Sequence, residues 1–434
     1  MTYLNEIDKW LKDKEDYILS FLSGLISTNT VNLPPGGNEK QGQEYIYNRI
    51  VNYFPEKDID LFDIDEVAGI RQNPFFFSTI DGIEKNYKDR PNLVVRLRGR
   101  GGGKSLAFSG HIDTMPDYGK KWTVFGDPFS GKIKDGKMYG RGAADMKAGT
   151  LAGFIALQCL KDLDITLKGD VFAESVVDEE NGGVNGTIAA RLRNPDISFA
   201  IVPELTNLKV GIETLGGTDW KVTVSEKGVG GIGADLDLSN PIYKLSKVAL
   251  ALEKYDRLIK NIKTPSSYSE DLKIKLLTYQ FYSGGSNYME SGAVPTEGHI
   301  YFWLEAYSYM DEKNYKKNFL DFMKKELCKY DDFKNDFPKI ENVIRFLYGH
   351  KTDTNHPVIN SIKKAYNEIG LNYIEEGIPY ATDAFAFKKV SDTEAVVLGP
   401  VGGNPHGIDE YVDIASVFNL IKIMVLTAID YCQI

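Results

Sequence analysis

The spacing of apolar positions changes along the chain and predicts two kinds of folding unit. Residues 7 to 28 carry apolar side chains at helical spacing, which predicts a packing helix. Between about 88 and 205, short β-rich runs alternate with helical stretches at about 147 to 162 and 184 to 192. This alternation is typical of a sheet with helices on its faces.

From about residue 213 the order of the elements is different. Two helices are predicted at 240 to 264 and 312 to 328, among strands with the sequences TDWKVTVSEKG, KIKLLTYQFYS and GHIYFWLEAYS. The earlier alternation returns after about 332 and ends in a helix from about 412. We therefore predict an α/β domain formed by residues 1–212 and 332–434, with a smaller α+β domain, 213–331, inserted into it.

Length and composition agree with a two-domain globular protein. The chain has 434 residues, which exceeds the usual size of one domain. Its 42% hydrophobic and 26% charged residues are ordinary for a folded soluble protein. The net charge of −10 argues against binding to nucleic acid or to anionic membranes, because both would repel it.

The cysteines and the N-terminal segment bear on the compartment. Cys159, Cys328 and Cys432 are far apart and include no C-x-x-C, so we expect free thiols and neither a disulfide framework nor a thiolate zinc site. The N-terminal segment mixes charges into its apolar pattern, unlike a signal peptide or a membrane span. We expect a cytoplasmic protein.

Acidic residues and two of the five histidines follow predicted strands or lie in loops. Each of these residues alone is more often a solvated carboxylate or a satisfied histidine, but their order along the chain is informative. The segments are SGHIDTMP with His111 and Asp113, YGRGAADMKAG with Asp145, VVDEENGG with Asp178, Glu179 and Glu180, AIVPELTN with Glu204, and GGNPHGIDEYV with His406.

These segments resemble the M20 family of dinuclear zinc amidohydrolases, in its acetylornithine deacetylase and succinyl-diaminopimelate desuccinylase branch. The matching blocks are S-G-H-x-D, D-P-F-S-G, Y-G-R-G-x-x-D-M-K-x-G, D-E-E, P-E and G-P-x-G-G-x-x-H-x-x-D-E-Y, in family order over nearly the whole chain. The resemblance implies a mixed-sheet, zinc-peptidase-like catalytic domain. It also implies that the inserted domain acts as a lid or a dimerisation domain.

The resemblance further implies a role for each residue of these segments. His111 and Glu204 would hold one divalent metal ion, Glu180 and His406 a second, and Asp145 would bridge the two. Zinc is the expected metal, and cobalt or manganese would also suit this set of nitrogen and oxygen ligands. Asp113 would accept the second N–H of His111 and fix its tautomer. Glu179 would be the general base that activates water and then protonates the leaving amine.

Two positions depart from the family pattern. The family's inserted domain usually carries a histidine that supports the oxyanion, but the segment EKGVGGIGADLDLSNPIYKL has none, and Gly231 stands near that place. The arginine that often binds a substrate carboxylate is replaced by Leu304. Asn240, Thr382 and Asp383 are the remaining candidates for substrate binding, by resemblance.

The expected activity is removal of an acetyl, succinyl or formyl group from a small amine or amino acid. A dipeptidase or aminoacylase of the same family is the alternative within this chemistry. A metal-binding paralogue that has lost catalysis is the alternative from another class. The intact set of five ligands together with Glu179 argues against that last alternative.

A homodimer is expected by resemblance, formed through the inserted domain. Either the strand GTDWKVTV or the apolar helix near 243 to 253 could form the contact.

Overall fold

The computed structural model describes residues 3–226, 230–231, 240–284 and 293–433. The chain divides into two compact units. The larger unit consists of Met1–Glu213, His350–Ile378 and Thr382–Ile434, and the smaller of Thr214–Gly349 and Pro379–Ala381.

Ten α-helices lie in the described part of the chain, numbered here in chain order. They are α1 Tyr3–Asp13, α2 Glu15–Ser27, α3 Glu39–Ile50, α4 Ala148–Asp162, α5 Asn185–Arg193, α6 Pro241–Ile259, α7 Glu312–Leu327, α8 Pro357–Ile369, α9 Ala384–Ser391 and α10 Ile414–Cys432.

The β-strands in the described part of the chain are also numbered in chain order. They are β1 Ile59–Asp63, β2 Thr79–Ile80, β3 Ile83–Glu84, β4 Pro91–Leu97, β5 Leu106–His111, β6 Lys132–Lys134, β7 Lys137–Tyr139, β8 Val171–Val176, β9 Phe199–Val202, β10 Val210–Thr214, β11 Gly216–Ser225, β12 Gly230–Gly231, β13 Leu276–Ser283, β14 Ala293–Val294, β15 Glu297–Ala306, β16 Lys339–Asn342, β17 Glu375–Ile378, β18 Glu394–Val397, β19 Gly402–Gly403 and β20 Tyr411–Asp413.

A mixed eight-stranded sheet is the centre of the larger unit, and it confirms the predicted α/β class. The strand order is β1-β4-β8-β5-β9-β18-β10-β17. The neighbours β8, β5, β9 and β18 run parallel, and β4 joins β8 antiparallel. Strands β5, β8 and β9 are buried at every residue, as expected for parallel strands covered on both faces.

The N-terminal helical stretch differs from the single helix predicted over residues 7 to 28. It forms two helices, α1 and α2, that meet at Lys14, where the backbone has φ −105° and ψ 6°. The apolar stripe survives this break, because Trp10, Phe21 and Leu25 are all buried. At the start of α8, the His356 side chain caps the helix by accepting the N–H of Val358.

The C-terminal helix α10 belongs to the core of the larger unit. Among the described helices, it alone is long and apolar enough to span a membrane by length and composition. However, 61% of its most apolar window is buried, and it packs against α4 and α8. These contacts are those of a core helix.

The smaller unit is built on a four-stranded sheet with the order β13-β15-β11-β16 and has its own apolar core. Trp220 and Phe302 on the sheet pack against Phe319 of α7. The unit includes residues 332–349, which follow the predicted inserted domain, because β16 pairs there with β11. Its role as a lid or dimerisation domain stays a prediction.

The position of β11 in this sheet corrects one expectation about the dimer. The sequence GTDWKVTV lies in β11, which pairs with β15 on one side and with β16 on the other. Both of its hydrogen-bonding edges are therefore occupied where these partners run. An interior strand cannot extend the sheet into a second copy.

Candidate metal centre

Three of the sequence segments lie at the carboxyl ends of three adjacent parallel strands. His111 is the last residue of β5, Glu179 and Glu180 follow β8, and Glu204 follows β9. Because parallel strands end at the same edge of a sheet, these side chains come together although they are far apart in sequence. All of them belong to the larger unit.

Asp145 places its two carboxylate oxygens towards two different imidazoles. Its Oδ1 lies 3.1 Å from Nε2 of His111, and its Oδ2 lies 3.1 Å from Nε2 of His406. Asp145 and Met146 have non-helical backbone angles in the turn that precedes α4. The turn therefore presents the carboxylate between the end of β5 and the loop that carries His406.

Each imidazole also faces a second carboxylate. Nε2 of His111 lies 3.5 Å from Oε1 of Glu204, and Nε2 of His406 lies 2.8 Å from Oε2 of Glu180. The five side chains thus form two groups that share Asp145. Ligand atoms of His111, Asp145 and Glu180 all lie within 4.8 Å of one another, close enough for a metal ion.

The donor set fits divalent metal ions of the zinc type. Nδ1 of His111 lies 2.9 Å from the backbone carbonyl oxygen of Asp113, so an N–H at Nδ1 donates to the main chain. In the neutral imidazole, Nε2 then carries a lone pair that faces the carboxylate oxygens of Asp145 and Glu204. A cation bound among these atoms would remove the repulsion between this lone pair and the carboxylate oxygens. Two imidazoles and three carboxylates match the ligand preferences of zinc.

The contact of Asp113 with His111 differs from the expected one. The Asp113 carboxylate lies 3.7 Å from Nδ1 of His111, too far for a hydrogen bond. The backbone carbonyl of Asp113 accepts the hydrogen bond from Nδ1 instead. The carboxylate accepts the backbone N–H groups of Glu179 and Glu180, at 3.2 and 3.1 Å. The reason is geometric, because the loop after β8 passes beside this carboxylate. Asp113 therefore contacts both the histidine and the Glu179–Glu180 segment.

Glu179 and Glu180 face different imidazoles, and a turn begins at Glu179, whose carbonyl accepts the N–H of Gly182. Glu180 is held by the backbone N–H of Met115, which donates to Oε1 at 3.2 Å and leaves Oε2 beside His406. Oε2 of Glu179 lies 3.9 Å from Nε2 of His111. Glu179 is thus close to the metal-ligand candidates without the shorter contacts made by Glu180.

A buried ion pair between Arg141 and Glu410 holds the backbone that leads into Asp145. Nη1 of Arg141 lies 2.8 Å from Oε2 of Glu410, and Oε1 of Glu410 accepts the N–H groups of Ala144 and Asp145. Arg141 also donates to the backbone carbonyl of His406 at 3.2 Å. Both residues belong to the motifs Y-G-R-G and D-E-Y, yet motif order alone gave them no role. Only the structure shows that one ion pair holds two ligand candidates.

The burial of so many charges displaces their pKa values. Burial raises the pKa of Glu204 to about 7 and raises the pKa values of Glu179 and Glu180 as well. Burial lowers the pKa of His111, but the nearby carboxylates of Asp145 and Glu204 outweigh it and hold this pKa well above its usual range. Burial also opposes ionisation of Asp145, yet the two imidazoles keep its pKa low. Perturbed groups of this kind cluster at functional sites.

The three candidates for substrate binding have structural contacts of their own. Asn240 caps α6, since its Oδ1 accepts the N–H of Ile242 at 2.9 Å. Thr382 is buried and accepts the N–H of Ala384. Asp383 is also buried and accepts the hydroxyl of Thr187 at Oδ2, while its Oδ1 has no hydrogen-bond partner among the described residues. Their role in substrate binding stays a prediction.

The two departures from the family pattern fall in the smaller unit. Residues 227–229 and 232–239 of the segment that lacks the histidine lie outside the described residues, whereas Gly231 belongs to β12. Leu304 is fully buried in the apolar core of that unit.

Comparison with known proteins agrees with this fold. The profile of peptidase family M20/M25/M40 matches residues 107–430. The chain therefore belongs to this family, and the resemblance to M20 metallohydrolases is confirmed. The structure is similar over its full length to the dipeptidase Dug1p of Saccharomyces cerevisiae, with a TM-score of 0.77, 15% identity, and coverage of 99% of this chain and 98% of that one.

Two curated relatives show the range of activities among similar sequences. A succinyl-diaminopimelate desuccinylase of Methylobacterium radiotolerans is 35% identical over 192 residues, 40% of this chain and 46% of that protein. An N-formyl-4-amino-5-aminomethyl-2-methylpyrimidine deformylase of Halalkalibacterium halodurans is 29% identical over 205 residues, 46% of this chain and 40% of that protein. The matched regions thus span less than half the length of either relative.

We predict that the metal-free protein becomes less stable as the pH rises from about 5 to about 8. Glu204 has a pKa near 7 in the folded protein against 4.5 ordinarily, so it binds its proton more tightly when folded. Its stabilising contribution is therefore complete below its unfolded pKa and is lost as the pH rises through about 7. Glu204→Gln should flatten the decrease of Tm with pH in the metal-free protein. An equal slope in both proteins would contradict this origin.

Proposed function

We propose that this protein is a metal-dependent amidohydrolase that removes an acyl group of the acetyl, succinyl or formyl type from a small amine or amino acid. The observation that carries the proposal is the carboxylate of Asp145 between the imidazoles of His111 and His406. Membership of the M20 family and similarity to a desuccinylase and a deformylase support it. We further propose that the protein acts in the cytoplasm.

In this proposal the five side chains hold two divalent ions, with zinc as the expected metal and cobalt or manganese as substitutes. His111 and Glu204 would serve one ion, His406 and Glu180 the other, and Asp145 both. Two such ions would acidify a shared water and polarise the scissile carbonyl group. The hydrogen bonds to Glu180, Asp145 and His406 from the main chain and from Arg141 would keep the ligands oriented.

Glu179 is the proposed general base. Its carboxylate lies beside the ligand set, and the two amides accepted by Asp113 fix the backbone of Glu179 and Glu180. It would accept a proton from the attacking water and deliver it to the leaving nitrogen as the C–N bond breaks. Burial raises the pKa of Glu179, which favours the return of the proton that it accepts.

The proposed substrate follows from the replacement of the family's arginine by Leu304. Leu304 is buried and apolar where the family often has an arginine, so a bidentate contact with an α-carboxylate is not expected from this position. This favours an amine without a carboxylate, as in deformylation. Dipeptide hydrolysis remains the alternative within the same chemistry, and a metal-binding protein without activity is the alternative from another class.

Replacement of Glu179 tests its role. We expect Glu179→Ala to lower kcat by about a thousandfold, because general acid–base catalysis contributes about 10²- to 10⁴-fold. Two metal ions per chain should remain bound, as measured by elemental analysis, and Glu15→Ala on an exposed part of α2 serves as the control. Loss of a metal ion together with activity would instead make Glu179 a ligand.

A substrate panel tests the reaction itself. Amine release would be measured with N-acetylornithine, N-succinyl-diaminopimelate, N-formyl and N-acetyl amines without carboxylates, and dipeptides, using zinc- and cobalt-loaded protein. We expect turnover of the N-acyl compounds, with amines that lack a carboxylate among the substrates. Turnover of dipeptides alone would support the alternative. No turnover by protein with two bound metal ions would contradict the proposed activity.

We also propose that the protein forms a homodimer through strand β13 of the smaller unit. This strand is at one edge of its sheet and contains no charged residue. Leu277, Tyr279, Phe281 and Tyr282 on it are all exposed. Proteins usually protect such edges with charges, because an uncharged edge strand pairs readily with another chain. Antiparallel pairing of two copies would satisfy both edges with two-fold symmetry.

Light scattering at micromolar concentration tests this interface. We expect a dimer for the unmodified protein and a monomer for Phe281→Lys, because two charges would meet at the shared edge. Ile133→Lys, at an equally exposed apolar position on β6, is the matched control and should remain dimeric. A monomeric unmodified protein, or a dimeric Phe281→Lys protein, would contradict the proposal.

A further inference from the structure

We propose that a buried ion pair between Lys85 and Asp178 positions the loop that carries Glu179 and Glu180. The inference rests on the proposed function, since it concerns the placement of the proposed base. Nζ of Lys85 lies 2.9 Å from Oδ1 of Asp178, and the two side chains are 1% and 0% exposed. Neither residue is a candidate metal ligand.

Asp178 occupies an unusual backbone conformation directly before Glu179. Its φ is +67°, in the left-handed region that most residues avoid. The other oxygen of its carboxylate, Oδ2, accepts the hydroxyl of Tyr87 at 2.7 Å and the amide of Asn185 at 3.1 Å. Both carboxylate oxygens of Asp178 are therefore held, Oδ1 by Lys85 and Oδ2 by Tyr87 and Asn185. Such conformations persist where surrounding contacts determine them.

The ion pair is linked to the groups that hold Glu179 and Glu180. Nδ2 of Asn32 lies 2.8 Å from Oδ2 of Asp113 and 3.4 Å from Oδ1 of Asp178. Asp113 in turn accepts the backbone N–H groups of both glutamates. The carboxylate of Asp178 thus holds the start of the loop, and the carboxylate of Asp113 holds Glu179 and Glu180. The side-chain amide of Asn32 connects the two carboxylates.

The chain approaches the ion pair very closely at Gly183. A Cβ atom at this position would lie 2.0 Å from Oδ2 of Asp178 and 2.6 Å from Nζ of Lys85. A larger residue could not be accommodated without moving the charged atoms. The close approach shows that the loop after Glu180 folds directly over the ion pair, so the ion pair is in contact with both ends of the segment.

Removal of the Lys85 charge alone would leave Asp178 without its nearest counter-ion. Arg90 lies 3.6 Å away, but its guanidinium is already paired with Glu39. A buried charge that loses its partner is strongly unfavourable, and movement of the charged group towards water relieves the cost. Movement of Asp178 would displace Glu179, its neighbour in the chain. A misplacement of about 1 Å can reduce a rate by about a hundredfold.

The test compares Lys85→Met with the double variant Lys85→Met/Asp178→Asn, using full-length protein with two metal ions bound. We expect Lys85→Met to lower kcat by about a hundredfold with KM changed less than about threefold. The double variant, which removes both charges, should recover at least about tenfold of this loss. Backbone amide exchange of Glu179 and Glu180, measured in metal-free and metal-loaded protein, should be faster in Lys85→Met than in the double variant.

Arg191→Met is the matched control for a buried ion pair without contact to this loop. Arg191 pairs with Glu174 in the same unit, and both side chains are fully buried. This variant should lose stability while the exchange of the Glu179 and Glu180 amides stays as in the unmodified protein. Equal exchange in Lys85→Met and the unmodified protein, or a loss of kcat that only follows the unfolded fraction, would overturn the proposal.

Tyr87→Phe keeps the proposal testable if Lys85→Met does not fold. This milder change removes only the hydroxyl that donates to Asp178. It should raise the exchange of the same amides and lower kcat by about threefold to tenfold. Unchanged exchange would overturn the positioning role. Absence of turnover in the unmodified metal-loaded protein would instead count against the proposed function, while the exchange measurement would still decide the role of Lys85.

Discussion

Repulsion among buried carboxylates is the constraint that the larger unit has to satisfy. Asp145, Glu179, Glu180 and Glu204 meet at one edge of the sheet around the imidazoles of His111 and His406. Burial raises the pKa values of the three glutamates and the neighbouring carboxylates raise them further, so ionising these groups has a free-energy cost. Two divalent cations would reverse this cost, which gives a physical reason for both the acidic cluster and its position.

The surrounding structure limits the freedom of these groups mainly through backbone contacts. Glu410 accepts two N–H groups at the turn of Asp145, and Asp113 accepts two at the segment of Glu179 and Glu180. Arg141 connects Glu410 to the backbone of His406. Asp145, Glu180 and His406 are therefore each held by a residue outside the ligand set, which is how metal sites obtain a defined geometry. The Lys85–Asp178 pair extends the same principle to the proposed base.

Much of the fold could be predicted because it follows from local patterns. The alternation of short β-rich runs with helical stretches indicated a sheet with helices on its faces, and the residues after the strands indicated the edge where a site forms. The small distortion at Lys14 could not be predicted, because the apolar stripe continues through it. The interior position of β11 also could not, since strand order depends on which distant strands pair.

The candidate site could be predicted in its members but not in its supporting contacts. The order of the motifs along the chain pointed to His111, Asp145 and the other ligand candidates. The spacing of His111 and Asp113 suggested a contact between their side chains, whereas the structure gives this contact to the backbone carbonyl of Asp113. Lys85 lies outside every motif and is 93 residues from Asp178, so only the folded chain shows that they meet.

Anomalous X-ray diffraction from crystals grown with zinc would show whether Asp145 serves two metal ions. We expect two zinc peaks per chain on either side of the Asp145 carboxylate, one beside His111 and Glu204 and the other beside His406 and Glu180. A single peak, or two peaks that do not share Asp145, would contradict a site in which this carboxylate serves two metal ions.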